Sequence, residues 1–344
     1  TMIWVTAAAL FACSKPKEQP RPERDYRPVL ENAARIVVQT YKDLDSTVAN
    51  LHEACKALET EPSQSRLDAA RQAWRDARVF WEQSEGFLFG PVDTRGLDPA
   101  IDSWPVNKID LDNVLASPNA LTAQYVDALE GTLKGFHTIE YLLFGQNSSK
   151  SPQEFTPRQF EYLSACSQSL RWASSALYQA WAPEHENYAG KLINAGSNNV
   201  YPSQKNALEE LVNGLIIIAD EVGNGKINDP FAQMDLTLEE SQFSNNSKAD
   251  FADNMRSMQN IYTGRYRWIS GPSLSDLVRE NNPALDDKVK AAIAQAIKAI
   301  EDIPGTFSDA IFNHRAEVAA AQQKVRDLLE ICQAELLPYF RNLE

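Results

Sequence analysis

Residues Val37–Leu58 read VVQTYKDLDSTVANLHEACKAL, and Val37, Tyr41, Leu44, Val48, Leu51, Cys55 and Leu58 recur at alternating steps of four and three. That spacing lays one apolar stripe along a helix and is the seam of a packed bundle. Glu61-Pro62-Ser63 breaks the run, and Ser63 is placed to cap a second helix. There Leu67, Ala70, Trp74, Ala77, Trp81, Ser84 and Leu88 form another stripe, which Gly90-Pro91 stops. Working outward, the pattern predicts further helices over about 120–144, 157–194, 203–222, 248–264, 273–281, 284–303 and 307–340. Alternation of Val, Ile and Thr between hairpin turns is absent. The chain is predicted to be all-α.

Two stretches, 91–118 and 223–247, read as long irregular connections, and loops of that length in compact domains tend to be functional. The second divides the helical part into a bundle over 29–222 and another over 223–344. A weak echo links them, since Trp81 through Gly90-Pro91 can be laid on Tyr262 through Gly271-Pro272. Gly131 and Gly135 lie a turn apart within the predicted 120–144 helix and suit close approach of a neighbouring helix.

The 344 residues carry 33 Lys and Arg against 47 Asp and Glu, a formal net charge of −14. Phosphate binding needs a basic face, so nucleic acid is excluded as an expected partner. Met2–Ala12 is an apolar run fitting the core of a signal peptide and too short to span a bilayer as a helix. It ends in Leu10-Phe11-Ala12-Cys13, which resembles a bacterial lipobox with Cys13 as the lipidated residue. Residues 14–28, with four prolines and alternating charge, read as a solvated tether. The expectation is a cell-envelope lipoprotein, periplasmic or on the outer membrane, held through lipid at Cys13. Cys55 and Cys332 fall on apolar stripes and read as buried free thiols; no disulfide framework is implied. His52, at the edge of the first seam, reads as a surface residue.

The chemistry concentrates in Gly135-Phe136-His137-Thr138-Ile139-Glu140. Its imidazole and carboxylate are three residues apart, neighbours on one helix face. Glu140 falls inside the apolar stripe and His137 at its edge, and a carboxylate aimed at a core needs a cation, a donor or a metal. On the second helix Glu85 projects to the side of Trp74 and Trp81, while Glu82 sits further round, a turn from Arg78, and reads as half of an exposed ion pair. His137, Glu140 and Glu85 are therefore candidate metal ligands of the kind found inside helical bundles, suited to iron, zinc or manganese. A hydrogen-bonded polar network is the competing reading of the same three residues.

Three blocks in order, Trp81-Glu82-Gln83-Ser84-Glu85-Gly86-Phe87-Leu88-Phe89-Gly90-Pro91, Ile101-Asp102-Ser103-Trp104-Pro105 and Gly-x-His-x-x-Glu at Gly135–Glu140, resemble the imelysin family. The likeness runs from about Tyr26 to the C-terminus and is sharpest over 74–145. It implies a bacterial envelope protein of two related helical bundles, in a family named after an insulin-cleaving peptidase and linked to iron uptake. Asp102, Ser103, Trp104 and Gly135 join Glu82 as secondary ligand-binding candidates. The favoured function is metal binding, iron first, with a metal-uptake protein of the envelope as partner. The alternatives are a metallopeptidase and a non-catalytic module for a partner or small ligand. His-Glu-x-x-His and His-x-x-Glu-His are both absent, which argues against the usual zinc-peptidase design. No nucleophile sits in a recognisable elbow or triad pattern.

Overall fold

The computed structural model describes residues 24–343; the expected signal peptide, Cys13 and most of the tether lie outside the described residues. Helix α1 spans Arg27–Thr60, with Pro28 in its first turn, where the missing N–H costs nothing. Every seam residue from Val37 to Leu58 is fully buried, each large aliphatic contributing about 1.5–3 kcal/mol. Tyr26 is buried as well and donates its N–H to Gln204 Oε1 at 2.6 Å, so the last residues of the expected tether are already docked. Helix α2 spans Gln64–Glu82 and is capped as predicted, Ser63 Oγ accepting from the Arg66 N–H.

The second helix was expected to run to Leu88, but it ends at Glu82, and a separate 3₁₀ turn covers Glu85–Phe87. Ser84 Oγ donates to the Trp81 carbonyl, and the Gly86 N–H goes to Ser257 Oγ instead of continuing the helix. The stretch 91–118 is likewise not irregular: it forms short helices Pro91–Thr94, α3 (Leu97–Asp102) and Lys108–Ala116. The expected 120–144 helix resolves into Ala123–Asp127, a 3₁₀ turn at Gly131–Leu133, and α4 (Gly135–Phe144). Gly135 opens α4 with φ of +75°, and a Cβ there would lie 2.3 Å from the Ile101 carbonyl oxygen. A Cβ on Gly131 would lie 2.3 Å from the Pro99 oxygen. Both glycines thus serve the close approach expected of them, and the element that approaches is α3.

Helix α5 (Pro157–Trp181) begins with a capping box between Thr156 and Gln159 and ends before Pro183, earlier than expected, because a proline disfavours helix in the residue preceding it. Helix α6 (Gln204–Asp220) runs into a π-helical turn, Glu221–Lys226. The expected loop 223–247 contains a helix at Asn228–Gln233 and then buries Glu239, Glu240, Ser241 and Ser244. Helices α7 (Ser247–Thr263), α8 (Pro283–Glu301) and α9 (Arg315–Ile331) follow. Among the described residues the only strands are a two-residue hairpin, Arg265–Tyr266 against Ile269–Ser270, so the fold is all-α.

Helix α1 lies between α2 and α5, and α8 packs on α7 and α9. One connected apolar core reaches from Tyr26 to Leu343. Cys55, Cys166 and Cys332 are free and buried. His52 is not a surface residue: α5 covers it, and its Nδ1 meets Ser167 Oγ at 2.9 Å. No helix among the described residues is long and apolar enough to cross a membrane.

Gly135→Ala would force a side chain into left-handed backbone and against the Ile101 carbonyl. The expected cost is at least about 2 kcal/mol of unfolding free energy, read from the denaturant midpoint. An unchanged midpoint would show that α3 does not clamp α4.

Candidate metal centre

Between its two large indoles, Trp74 and Trp81, α2 carries Arg78, and the guanidinium is fully buried. An isolated charge there would be prohibitively expensive. Arg78 Nη1 pairs with Asp102 at the end of α3, and Nη2 pairs with Glu82 one turn along α2 and with Glu240 at 3.1 Å. Its Nε lies 3.5 Å from Asp250 of α7. Glu82, expected on a wet face, is fully buried, because α7 and the 239–247 segment cover that side of α2.

His137 and Glu140 project inward from α4 and are both buried. The imidazole Nδ1 is 3.1 Å from Glu140 Oε2, and Nε2 is 3.1 Å from Asp102 Oδ1. Glu140 Oε1 accepts from the N–H and the hydroxyl of Ser244, each at 2.7 Å. The Trp81 indole donates to Asp102 Oδ2 at 2.7 Å. Burial alone would lower the His137 pKa, but the charge of Asp102 and the contacts with Asp102 and Glu140 raise it to about 9. For Asp102, burial is outweighed by Arg78 and His137, and its carboxyl is held below the ordinary range.

Glu85 faces a second buried cation. Lys226 Nζ is 2.6 Å from Glu85, 2.9 Å from Glu240, 3.6 Å from Glu82 and 3.9 Å from Glu221. Asn254 of α7 donates to Glu82 at 2.6 Å and to Glu85 at 2.8 Å. Burial drives the pKa of both glutamates well up despite these cations, and it lifts Asp250 to about 6.

The expected trio of His137, Glu140 and Glu85 shares one polar cluster but does not present its ligand atoms to one point. Two overlapping sets, one of Asp102, His137 and Glu240 and one of Glu82, Glu85, Asp102 and Glu240, bring a ligand atom from each member within 4.8 Å of the others. Asp102 and Glu240 belong to both sets, whereas Glu140 spends its oxygens on His137 and Ser244. Ser103 and Trp104 line a cavity of about 180 Å³ shared with Glu85, Asp98, Asp102 and Glu221, and Gly135 acts through its contact with α3. Glu240, Lys226, Asp250 and Asn254 escaped the sequence reading. Glu240 and Lys226 lie in the expected 223–247 loop and Asp250 and Asn254 on the expected 248–264 helix, and nothing in either local pattern marks them.

Acids outnumber cations. Glu82, Glu85, Asp102, Glu140, Glu240 and Asp250 gather around Arg78, Lys226 and His137, with Arg75 acting on Glu140 from outside, and burial pushes Glu82, Glu85 and Asp250 toward their neutral forms. Buried His137 Nε2 and Glu240 Oε2 have no aligned hydrogen-bond partner. Imidazole nitrogen with carboxylate oxygen suits iron, zinc or manganese, so the donors present fit a divalent transition metal.

A family model described as imelysin, peptidase M75, matches residues 37–332. The chain belongs to the imelysin family. Iron-regulated protein A of Synechococcus elongatus is 30% identical over 310 residues, which are 88% of this imelysin-family chain and 83% of that relative. A crystal structure described as an iron-regulated protein A precursor, from Parabacteroides distasonis, superposes with a TM-score of 0.81 at 27% identity, covering 90% of this chain and 95% of that one. An imelysin-like protein of Psychrobacter arcticum shares the fold, with a TM-score of 0.74 at 16% identity over 92% and 97% of the two chains.

In the metal-free protein, His137 stabilises the fold fully below its ordinary pKa of 6.5, and this contribution is lost as pH rises through about 9. Unfolding free energy should therefore fall between those values in the wild type, and His137→Gln should remove that slope. Equal slopes in urea titrations of the two proteins would contradict a charged His137.

Proposed function

We propose that this imelysin-family protein binds a divalent transition metal, iron foremost, in its buried cluster and serves iron acquisition at the cell envelope. The observation that carries the reading is a surplus of buried carboxyl groups over cations, gathered beside an imidazole Nε2 that lacks an aligned partner. His137, Asp102 and Glu240 would be the ligands, with Glu85 and Glu82 adjoining. Glu140 would work from behind. Its contact with Nδ1 orients the ring so that Nε2 faces the metal, the usual arrangement of a carboxylate supporting a ligating histidine. Because ligands bind metal deprotonated, loading would release the proton that Asp102 and Glu140 hold on His137.

The iron assignment draws on the similarity to iron-regulated protein A, and the envelope assignment on Leu10-Phe11-Ala12-Cys13. Peptidase action has less behind it: His-Glu-x-x-His is absent, and His137 is only 1% exposed, out of reach of a polypeptide backbone.

Anaerobic Fe(II) titration with elemental analysis tests the site. Wild type should bind stoichiometrically, His137→Ala should not, and Glu140→Gln should lose about 10–100-fold in affinity. Equal, negligible metal in wild type and His137→Ala would remove the reading. For the anchor, Cys13→Ser should move the full-length precursor from the membrane to the aqueous fraction of a bacterial lysate. Retention on the membrane would exclude lipid at Cys13.

A further inference from the structure

Lys226 closes the π-helical turn Glu221–Lys226, whose sequence is EVGNGK. Turns of this kind are rare and concentrate at functional sites. Gly225 within it is free of neighbours, since a Cβ there would meet nothing within 4 Å. The lysine side chain runs inward from this turn and is 1% exposed at its end. Its ammonium lies within 3.6 Å of Glu82, Glu85 and Glu240, three of the four carboxylates whose oxygens converge closely enough to hold a metal. A tethered monocation therefore stands among carboxylates that adjoin the His137 set, which shares Asp102 and Glu240 with them.

The fourth contact points outward. Glu221 Oε1 is 3.9 Å from the ammonium, its side chain is 43% exposed, and it lines the cavity of about 180 Å³ together with Asp98, Ser103 and Trp104. Glu85 and Asp102 form the inner wall of that cavity, so it connects solvent with the buried carboxylates. Lysine suits such a position because its compact charge rides on a flexible four-carbon stem and can retract without dismantling a fork of hydrogen bonds.

We propose that Lys226 is a built-in counter-cation that an incoming divalent metal ion displaces, its ammonium moving outward to Glu221 at the cavity mouth. This rests on the metal-binding reading above. In the metal-free protein the lysine holds the carboxylates together, and on loading one positive charge is exchanged for two. Two cations left side by side would repel strongly at low effective dielectric, so affinity depends on how readily the lysine leaves.

The test is a titration of the full chain with Mn(II), free ion being counted by electron paramagnetic resonance. Lys226→Met and Lys226→Gln should each bind Mn(II) at least about tenfold more tightly than wild type. Glu221→Gln should weaken binding in the wild-type background and leave it unchanged alongside Lys226→Met. In wild type alone, acetylation of Lys226 by an N-hydroxysuccinimide ester, followed by mass spectrometry, should accelerate when Mn(II) is added; this arm does not depend on the variants folding. Unchanged acetylation, or Lys226 variants that bind no more tightly, would overturn the displacement while leaving a metal-binding wild type intact. Absence of Mn(II) from every variant would remove the metal reading itself.

Discussion

A guanidinium with no exposure to water lies at the centre of this molecule. Arg78 sits between two tryptophans on α2, and its burial is tolerable only because carboxylates reach it from four separate segments: Glu82 on α2, Asp102 on α3, Glu240 from the 239–247 stretch and Asp250 on α7. Removing Arg78 itself would leave its buried carboxylates uncompensated, and breaking a buried pair in that way typically costs about 3–5 kcal/mol. The arrangement therefore ties together parts of the chain that share no hydrophobic pattern. It also explains why segments that look like surface loops in sequence are buried.

Two cations are too few for the acids gathered around them. Arg78 and Lys226 each serve several carboxylates, His137 carries a proton because Asp102 and Glu140 flank it, and Glu82 and Glu85 are pushed toward neutrality by burial. A core would gain nothing in stability from such an excess over apolar residues of equal volume. This surplus of acids is what the proposed metal-binding reading draws on. The cavity beside Glu85, Asp102 and Glu221 borders these acids.

Much of the helical architecture was readable residue by residue. The seam from Val37 to Leu58, the Ser63 cap and the stripe from Leu67 to Trp81 appear as expected, because helical periodicity is local and the apolar side chains record it. Glu140 and His137 stood out for the same reason, as polar groups on a buried stripe. Arg78 and Glu82 misled because an i, i+4 pair has the same spacing on a wet face as on a buried one. Nothing within α2 reveals that α7 lies over it. Glu85 was placed on the wrong element, since α2 stops at Glu82, whose carbonyl meets Asn254, and the Gly86 N–H goes to Ser257 Oγ, 171 residues away.

The sequence by itself determined the helices, their inward faces and the imidazole–carboxylate pair at His137 and Glu140, all consequences of spacing along one segment. Tertiary structure decided how other side chains join that pair. Asp102, named beforehand only through the family resemblance, is brought to Nε2 of His137 by the packing of α3 on α4, and Glu240 and Lys226 arrive from a segment whose local pattern is that of an ordinary solvated loop. The physical reason is range: periodicity acts over a few residues, whereas the need to neutralise a buried charge selects partners by distance in space.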